Sequence, residues 1–367
     1  MMDWLGFRIK QLARLPVNAL LGTCVAWEPE RELADGYSVA LACAASLAPL
    51  AVANLRLCAK NQGGRLRELI AVFDCPPQQI PSNFVETARE ISRSIDITLL
   101  GYDRRQVRVA RLFKNGWVFA WMSWCLAIAS SKTQALILHD LDAMPIGPMV
   151  FEQIYENWLL AKAEFCGINL YSGNGVTEEM GLLKSCGLAL DSAYVRRTFR
   201  PIDIFNAMAW VDGRMISFDT TLYAQWQSPR RALRPIHESQ LVHPSQLICH
   251  FTDLLAKRTD LRSVPHSLPM LPYFLYLGDD PTWLATATED LKHENSQCLH
   301  LFDRTARLDA IVPQHWAWME KQIRRLEQAI FGTTRPEVLD FLIGFMRRAG
   351  TSRSVGAELG ANAVFEC

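Results

Sequence analysis

The 367-residue chain is half hydrophobic and 21% charged, which excludes a disordered chain and allows one large core or two modest ones. Acidic and basic residues balance at 38 each, so no overall field draws the molecule to nucleic acid or to an acidic membrane. The ten cysteines form no C-x-x-C pair, and Cys43, Cys75, Cys125, Cys166 and Cys249 sit in or beside apolar runs. Buried thiols in a reducing, cytoplasmic setting are expected, not disulfides or a structural zinc site.

In chain order, the first fifteen residues mix Arg8, Lys10 and Arg14 with apolar side chains, and a short apolar run from Pro16 to Trp27 follows. That run falls short of the roughly 20 residues a transmembrane helix needs. It ends in charge from Glu28 to Glu32, and no small-residue cleavage site marks a secretory signal. Residues 1–36 read as a helical extension, either packed on the body or lying at a membrane interface with its cations toward the headgroups.

From Tyr37 strand-like and helix-like blocks alternate. Tyr37 to Ala44 is an apolar run suited to a strand buried on both faces. Pro49 to Lys60 reads as a helix stopped by Gly63-Gly64, and Leu69 to Phe73 as a strand ending at Asp74. Asn83 opens a second helix in a capping-box-like pattern with Glu86, along an apolar stripe of Val85, Ala88 and Ile91. Ile95 to Leu100 is a third strand, Trp117 to Ser130 a long apolar helix with Trp117, Trp121 and Trp124 at core spacing, and Ala135 to Leu138 a fourth strand. This is the grammar of an α/β protein with a mainly parallel sheet flanked by helices, in which ligands sit beyond the carboxyl ends of the strands. Ser172 to Val176 is a glycine-containing loop. Beyond Lys257 the pattern changes to a proline- and aromatic-rich stretch and two helices, Gln314 to Phe331 and Pro336 to Arg348. The expected organisation is therefore 1–36, a catalytic body at 37–258, and a mainly helical extension at 259–367.

The strongest local signal is the run from Ala135 to Asp142, where a buried strand leads straight into Asp140 and Asp142. Residues i and i+2 leaving a strand project to one side, and two carboxylates there repel unless a cation lies between them. A divalent ion bridging a diphosphate meets that need, since Mg²⁺ and Mn²⁺ take hard oxygen ligands and keep positions open for phosphate.

The stretch from Asn115 to Pro145 resembles the core of GT-A fold glycosyltransferases, family-2-like enzymes that use nucleotide-diphospho-sugars. Leu69 to Asp74 is similar to that superfamily's second strand, Cys186 to Arg197 to its acceptor-side segment, and Ile216 to Gln227 to its acid-plus-helix element. The resemblance spans Tyr37 to Leu255. It implies a GT-A-like fold and transfer of a sugar from a nucleoside-diphosphate donor, a UDP-sugar for preference, to a hydroxyl of a glycan or lipid-linked acceptor. It also implies Mn²⁺ or Mg²⁺ held by Asp140 and Asp142, with Asp140 near the donor. The third ligand is His243 or His250; His243 is preferred because it ends a strand on the same rim as the acids. Asp219 is the expected base of an inverting reaction, which needs a carboxylate opposite the leaving group, whereas a retaining reaction would not. Phe218 stands where the family usually has the first acid of a pair.

On the donor side, Ala44, Ala45 and Ser46 are small enough for a nucleotide to approach the backbone. Asp74 suits base or ribose, and Arg104, Arg105 or Arg111 could meet phosphate. Trp210, Tyr273, Phe274, Tyr276 or Trp283 could stack on an acceptor sugar. The stretch Trp316 to Arg325 is amphipathic and basic, suiting a helix packed on the body or docked on a membrane. Two other readings stay open: a non-catalytic nucleotide-sugar or glycan-binding relative serving as a scaffold, and a nucleotidyltransferase of similar fold. Against the second, the loop after the first strand has neither glycine nor lysine.

Overall fold

The computed structural model describes residues 4–61, 63–113, 115–256, 267–293 and 297–350. A helix, α1 (Trp4–Leu21), leads into β1 (Ala34–Cys43), α2 (Ala48–Lys60), β2 (Leu66–Phe73), α3 (Ser82–Ile91), β3 (Asp96–Gly101), α4 (Arg104–Phe113), α5 (Gly116–Ser130) and β4 (Thr133–His139). There follow β5 (Met144–Pro145), α6 (Val150–Ala161), β6 (Phe165–Gly167), β7 (Leu188–Asp191), α7 (Ser192–Thr198) and the hairpin β8 (Ala207–Val211) and β9 (Arg214–Phe218). Next come α8 (Leu222–Gln227), β10 (Arg231–Leu233), β11 (Leu241–Val242), α9 (Leu247–Leu255), α10 (Leu271–Leu277) and α11 (Thr282–Lys292). A second hairpin, β12 (Cys298–Leu301) and β13 (Arg304–Arg307), and the helices α12 (Pro313–Phe331) and α13 (Pro336–Arg348) complete the fold.

Seven strands form one sheet in the order β10-β6-β7-β4-β1-β2-β3. Strands β1, β2, β3 and β4 run parallel, and β7 is inserted antiparallel to both β4 and β6. The expected α/β class with a mainly parallel, helix-flanked sheet and C-terminal helices is what the chain adopts. Residues 36–43 of β1 are buried almost throughout because the strand lies mid-sheet with helices on both faces. Helix α5 is apolar nearly all round and accordingly sits inside, started by the Asn115 side chain accepting from the Trp117 amide at 2.9 Å.

Three local expectations are corrected. Helix α3 starts without a capping box: the Asn83 carboxamide caps its neighbour Phe84, and Phe84, Thr87 and Ala88 form the buried face. Helix α2 ends at Lys60, where the Asn61 amide closes the last turn before the glycines are reached. Trp121 and Trp124 are core residues, but Trp117 in the first turn of α5 is exposed. Helix α4 lies in the stretch after β3 that the pattern left unassigned.

The C-terminal helices share an apolar cluster with one face of the sheet, running from Val39 and Phe73 through Leu271 and Phe274 to Trp316 and Phe345. At that contact Gly278 meets α2 so closely that a Cβ would fall 1.7 Å from the Pro49 carbonyl oxygen. The helices at Gln314 to Phe331 and Pro336 to Arg348 match α12 and α13, whereas α10, α11 and the β12–β13 hairpin escaped the pattern. No described helix is long and apolar enough to cross a membrane. The nine described cysteines are free thiols; seven are buried, while Cys249 is exposed.

Candidate functional site

Strand β4 delivers Asp140 and Asp142 at its carboxyl end, and the turn after it is fixed from two sides. The last residue of β4, His139, is buried, and its Nε2 donates to the Ala143 carbonyl at 2.8 Å. Burial holds the imidazole down to about 3, so it stays neutral and acts as a brace, with its ring edge-on to Phe151. From α2, the fully buried Asn54 directs Nδ2 at the carbonyls of Asp140 (3.2 Å), Leu141 (2.8 Å) and Ala143 (2.8 Å). These contacts satisfy backbone groups that a tight buried turn would otherwise orphan.

The turn runs on into β5, which pairs antiparallel with β11, Val242 opposite Met144. His243 follows that ladder and is thereby placed over the acids. Its Nε2 lies 3.5 Å from Asp140 Oδ2 and 3.5 Å from Asp142 Oδ1. Burial opposes charge on His243, but the Cys186 sulfur and the Asp142 carboxylate favour it, and the net displacement is well upward. Asp140 is pushed up to about 6, chiefly by burial, with the neighbouring charges of Asp142 and Asp219 adding to the effect and His243 and Ser185 opposing it. His250, the other candidate, points elsewhere: it is buried in α9 with Nδ1 3.2 Å from Ser267 Oγ.

Two further groups close the centre from the loop before β7. Ser185 Oγ donates to Asp140 Oδ1 at 3.3 Å. The Cys186 sulfur lies within 4.8 Å of ligand atoms of both Asp140 and His243. Gly187 makes this possible: its φ of +69° turns the chain, its amide bonds the Leu138 carbonyl at 2.9 Å, and a Cβ there would meet Ile168 at 2.8 Å.

Donor atoms bound to one ion at about 2.1 Å lie roughly 3 Å apart, near the spacings seen here. The carboxylate of Asp140, the imidazole of His243 and the thiol of Cys186 lie within 4.8 Å of one another, with Asp142 3.5 Å from the same imidazole, and this donor set fits a divalent cation. Asp140, Asp142 and His243 would hold it, with Cys186 in reach.

Asp219 follows β9. Burial raises its pKa, while the Thr220 amide, donating to Oδ1 at 2.6 Å, and the Asn206 and Thr220 side chains pull it down. Phe218 is fully buried, stacked on Trp226 at 5.4 Å and packed with Val176, Leu182 and Leu222. The loop from Ser172 to Val176 is tied to this hairpin by the Ser217 amide bonding the Asn174 carbonyl at 3.0 Å. Tyr171, at the base of that loop, is raised first by burial and then by the charge of Asp219.

Beyond the carboxyl ends of β1 and β2, the Ala45 amide donates to Asp74 Oδ1 at 2.8 Å. Ala44 and Ser46 flank that amide. Burial raises Asp74, and Arg111 is close enough to counter the rise. Arg105 is instead directed at Thr23, away from Asp74.

The aromatic candidates divide. Tyr273 and Phe274 are fully buried core residues, and Tyr273 donates to Glu327 Oε1 at 2.9 Å. Tyr276 is hydrogen-bonded to Glu337, Trp283 stacks on Phe302 at 4.5 Å, and Trp210 packs on Phe7 at 5.6 Å. The stretch Trp316 to Arg325 belongs to α12, whose Trp316, Met319 and Ile323 are buried against the body. Sequence reasoning missed Asn54, Ser185 and Cys186. Asn54 alone carried a signal, as a polar residue inside an otherwise apolar helical stripe.

No protein-family model and no curated protein matches the chain. Among solved structures, the chain is similar to TarS of S. aureus, residues 1–349, at 11% identity and a TM-score of 0.39, over 86% of this chain and 90% of that one. It is also similar to the mannosyltransferase PcManGT of Pyrobaculum calidifontis, solved with GDP-Man and Mn²⁺, at 12% identity and a TM-score of 0.36, over 93% and 96% of the two chains. The galactosyltransferase LgtC, solved with donor and acceptor sugar analogs, aligns at 10% identity and a TM-score of 0.33, over 46% and 62%.

Proposed function

We propose that the chain is a metal-dependent glycosyltransferase that moves a sugar from a nucleoside-diphosphate donor, a UDP-sugar for preference, to a hydroxyl acceptor with inversion. The observation that carries this reading is the convergence of His243 on Asp140 and Asp142 at 3.5 Å to each, at the carboxyl end of a central strand. A divalent ion there would supply a Lewis acid for the diphosphate leaving group. The mixed oxygen, nitrogen and sulfur donors favour Mn²⁺ over Mg²⁺.

The chain's own groups would divide the remaining work. Asp140 and Asp142 would hold the cation, and Ser185 fixes one oxygen of Asp140. The Ala44 to Ser46 segment lets a nucleotide lie against backbone, Asp74 accepts from base or ribose, and Arg111 balances phosphate charge. Asp219 takes the proton of the acceptor hydroxyl. Burial raises its pKa, which makes its carboxylate a better base than that of a solvated aspartate. Phe218 in an apolar cluster accounts for the missing first acid: that position anchors the hairpin. The free thiols support a reducing, cytoplasmic setting.

The test is a thermal-shift titration with UDP, GDP and CDP, with and without Mn²⁺, on wild type and Asp142→Ala. A nucleotide that raises Tm only with metal, and not in the variant, supports the site and names the donor base. No shift from any nucleotide would sink the transferase reading. Metal-dependent binding without sugar transfer to any acceptor would instead indicate a scaffold.

A further inference from the structure

Helix α1 is built in two halves. One side faces the body: Phe7 and Leu21 are buried, the Phe7 ring lies 5.6 Å from that of Trp210, Gln11 Nε2 donates to the Met208 carbonyl at 3.4 Å, and Arg14 donates to the Asn206 carbonyl. The opposite side carries Trp4, Leu5, Ile9, Leu12 and Leu15, each more than half exposed. At 100° per residue these five fall within one half of the helix circumference, which Arg8, Ala13, Pro16, Ala19 and Leu20 share. A face of this kind is normally turned inward, whereas here the helix already packs through its other side. The described part of α1 contains no acidic residue, and its cations are Arg8, Lys10 and Arg14. Beside it, α4 is joined to the end of α1 through Arg105 to Thr23 and through Gln106 Nε2 to the Cys24 carbonyl at 2.9 Å. That helix adds Arg104, Arg108 and Leu112, all exposed, with Trp117 exposed just beyond.

We propose that α1 lies in the headgroup region of an anionic membrane, with α4 adding cationic contacts beside it. The only charges on this helix are cations, Arg8 within the apolar half and over the Trp4 ring, Lys10 and Arg14 outside it, which matches a surface that is apolar below and negative at the headgroups, the chemistry of anionic lipid. A protein partner would be expected to meet acidic as well as basic groups, and α1 offers none of the former. The placement has a consequence for the site, which rests on the function proposed above. Strand β8 underlies α1, and Asn206, which accepts from Arg14, also accepts from Thr220 Oγ1 at 3.0 Å, next to Asp219. Docking through α1 therefore sets the acceptor-side hairpin against the bilayer, so the acceptor hydroxyl would be lipid-borne.

The test is co-sedimentation of the full chain, without nucleotide or metal, with phosphatidylcholine vesicles and with phosphatidylcholine–phosphatidylglycerol vesicles. Wild type is expected to bind the anionic vesicles and to be released by salt. Because the substituted positions are exposed, Leu5→Glu/Leu12→Glu should keep the wild-type Tm while weakening vesicle binding at least about tenfold. Failure of wild type to bind anionic vesicles, or equal binding by the variant, would overturn the proposal. So would a change in solution mass on mutation, which would make a second copy of the chain the occupant. Nucleotide-induced Tm shifts on the same samples report the site independently, so loss of vesicle binding with those shifts intact sinks the membrane face alone.

Discussion

His243 Nε2 stands 3.5 Å from both Asp140 Oδ2 and Asp142 Oδ1 because two short strands pair beside them, Val242 of β11 opposite Met144 of β5. A ladder of two residues on each strand fixes the approach of groups far apart in sequence, and the neighbouring turn is held by Asn54 and His139. A cation site built in this way would be pre-organised, so on the proposed function removing one group should change affinity more than fold.

Asp142→Ala should abolish metal-dependent nucleotide binding and reduce transfer by about 10³-fold or more, since the leaving diphosphate loses its counter-charge. In the absence of metal the variant relieves repulsion on Asp140 but also loses the partner that favours charge on His243, so a modest fall in stability is expected. Thermal melts with and without Mn²⁺ separate the two effects. A variant that still shows a Mn²⁺-dependent shift would exclude Asp142 as a ligand.

The two histidines should part company. His243→Ala should weaken Mn²⁺ binding by about 10- to 100-fold, a loss of the size that follows removal of a group supporting a metal site. His250→Ala should leave metal affinity alone and cost about 1 kcal/mol of stability through loss of the buried hydrogen bond to Ser267, whose hydroxyl keeps the Ser245 carbonyl. Calorimetric Mn²⁺ titration and denaturant melts of both variants check this, and a reversal of the two phenotypes would move the ligand to α9.

Asp219→Asn should lower kcat by about 10²- to 10⁴-fold with donor binding kept, as expected for loss of a general base. The base must be ionised, so wild-type rate should rise with pH through the pKa of Asp219. Burial places that pKa above the ordinary 3.8, and the acid limb should lie correspondingly higher. The limb should vanish in the variant; a wild-type profile in Asp219→Asn would argue for a retaining reaction or another base.

Asn54→Ala removes the donor to three carbonyls of the acidic turn. It should cost about 1–3 kcal/mol, chiefly by leaving the buried Leu141 carbonyl unsatisfied, since the Ala143 carbonyl keeps His139 and the Asp140 carbonyl keeps the Ala143 amide. Mn²⁺ affinity should fall as well, although Asn54 is not among the residues that would hold the ion. A destabilised protein with unchanged Mn²⁺ affinity would show that the turn does not depend on this brace.

Cys186→Ser should remove a sulfur-to-cobalt charge-transfer band from the absorption spectrum of the Co²⁺-loaded protein and narrow its preference for Mn²⁺ over Mg²⁺. An unchanged spectrum would place the thiol outside the coordination sphere.

The sheet and its acids were legible in the sequence for a physical reason. A central strand buried on both faces must be a continuous apolar run, and carboxylates placed straight after such a run stand out against it. That gave β1, β2 and β4, the long apolar helix α5, and Asp140 with Asp142, while β3, half-buried at the end of the sheet, was still apolar enough to read. Helix α4 was not legible, because its four arginines dilute the apolar stripe that marks a helix. The short strands β5 and β11 carry too few residues for any period to register, yet they decide which histidine meets the acids. The partners of Asn54, the approach of Cys186 through the positive φ of Gly187, and the core position of Phe218 all depend on contacts between segments distant in the chain. Local chemistry thus determined where charge would collect at the carboxyl end of a central strand, since it is written in consecutive residues; only tertiary packing decided what surrounds that charge, because pairing and burial are properties of the folded whole.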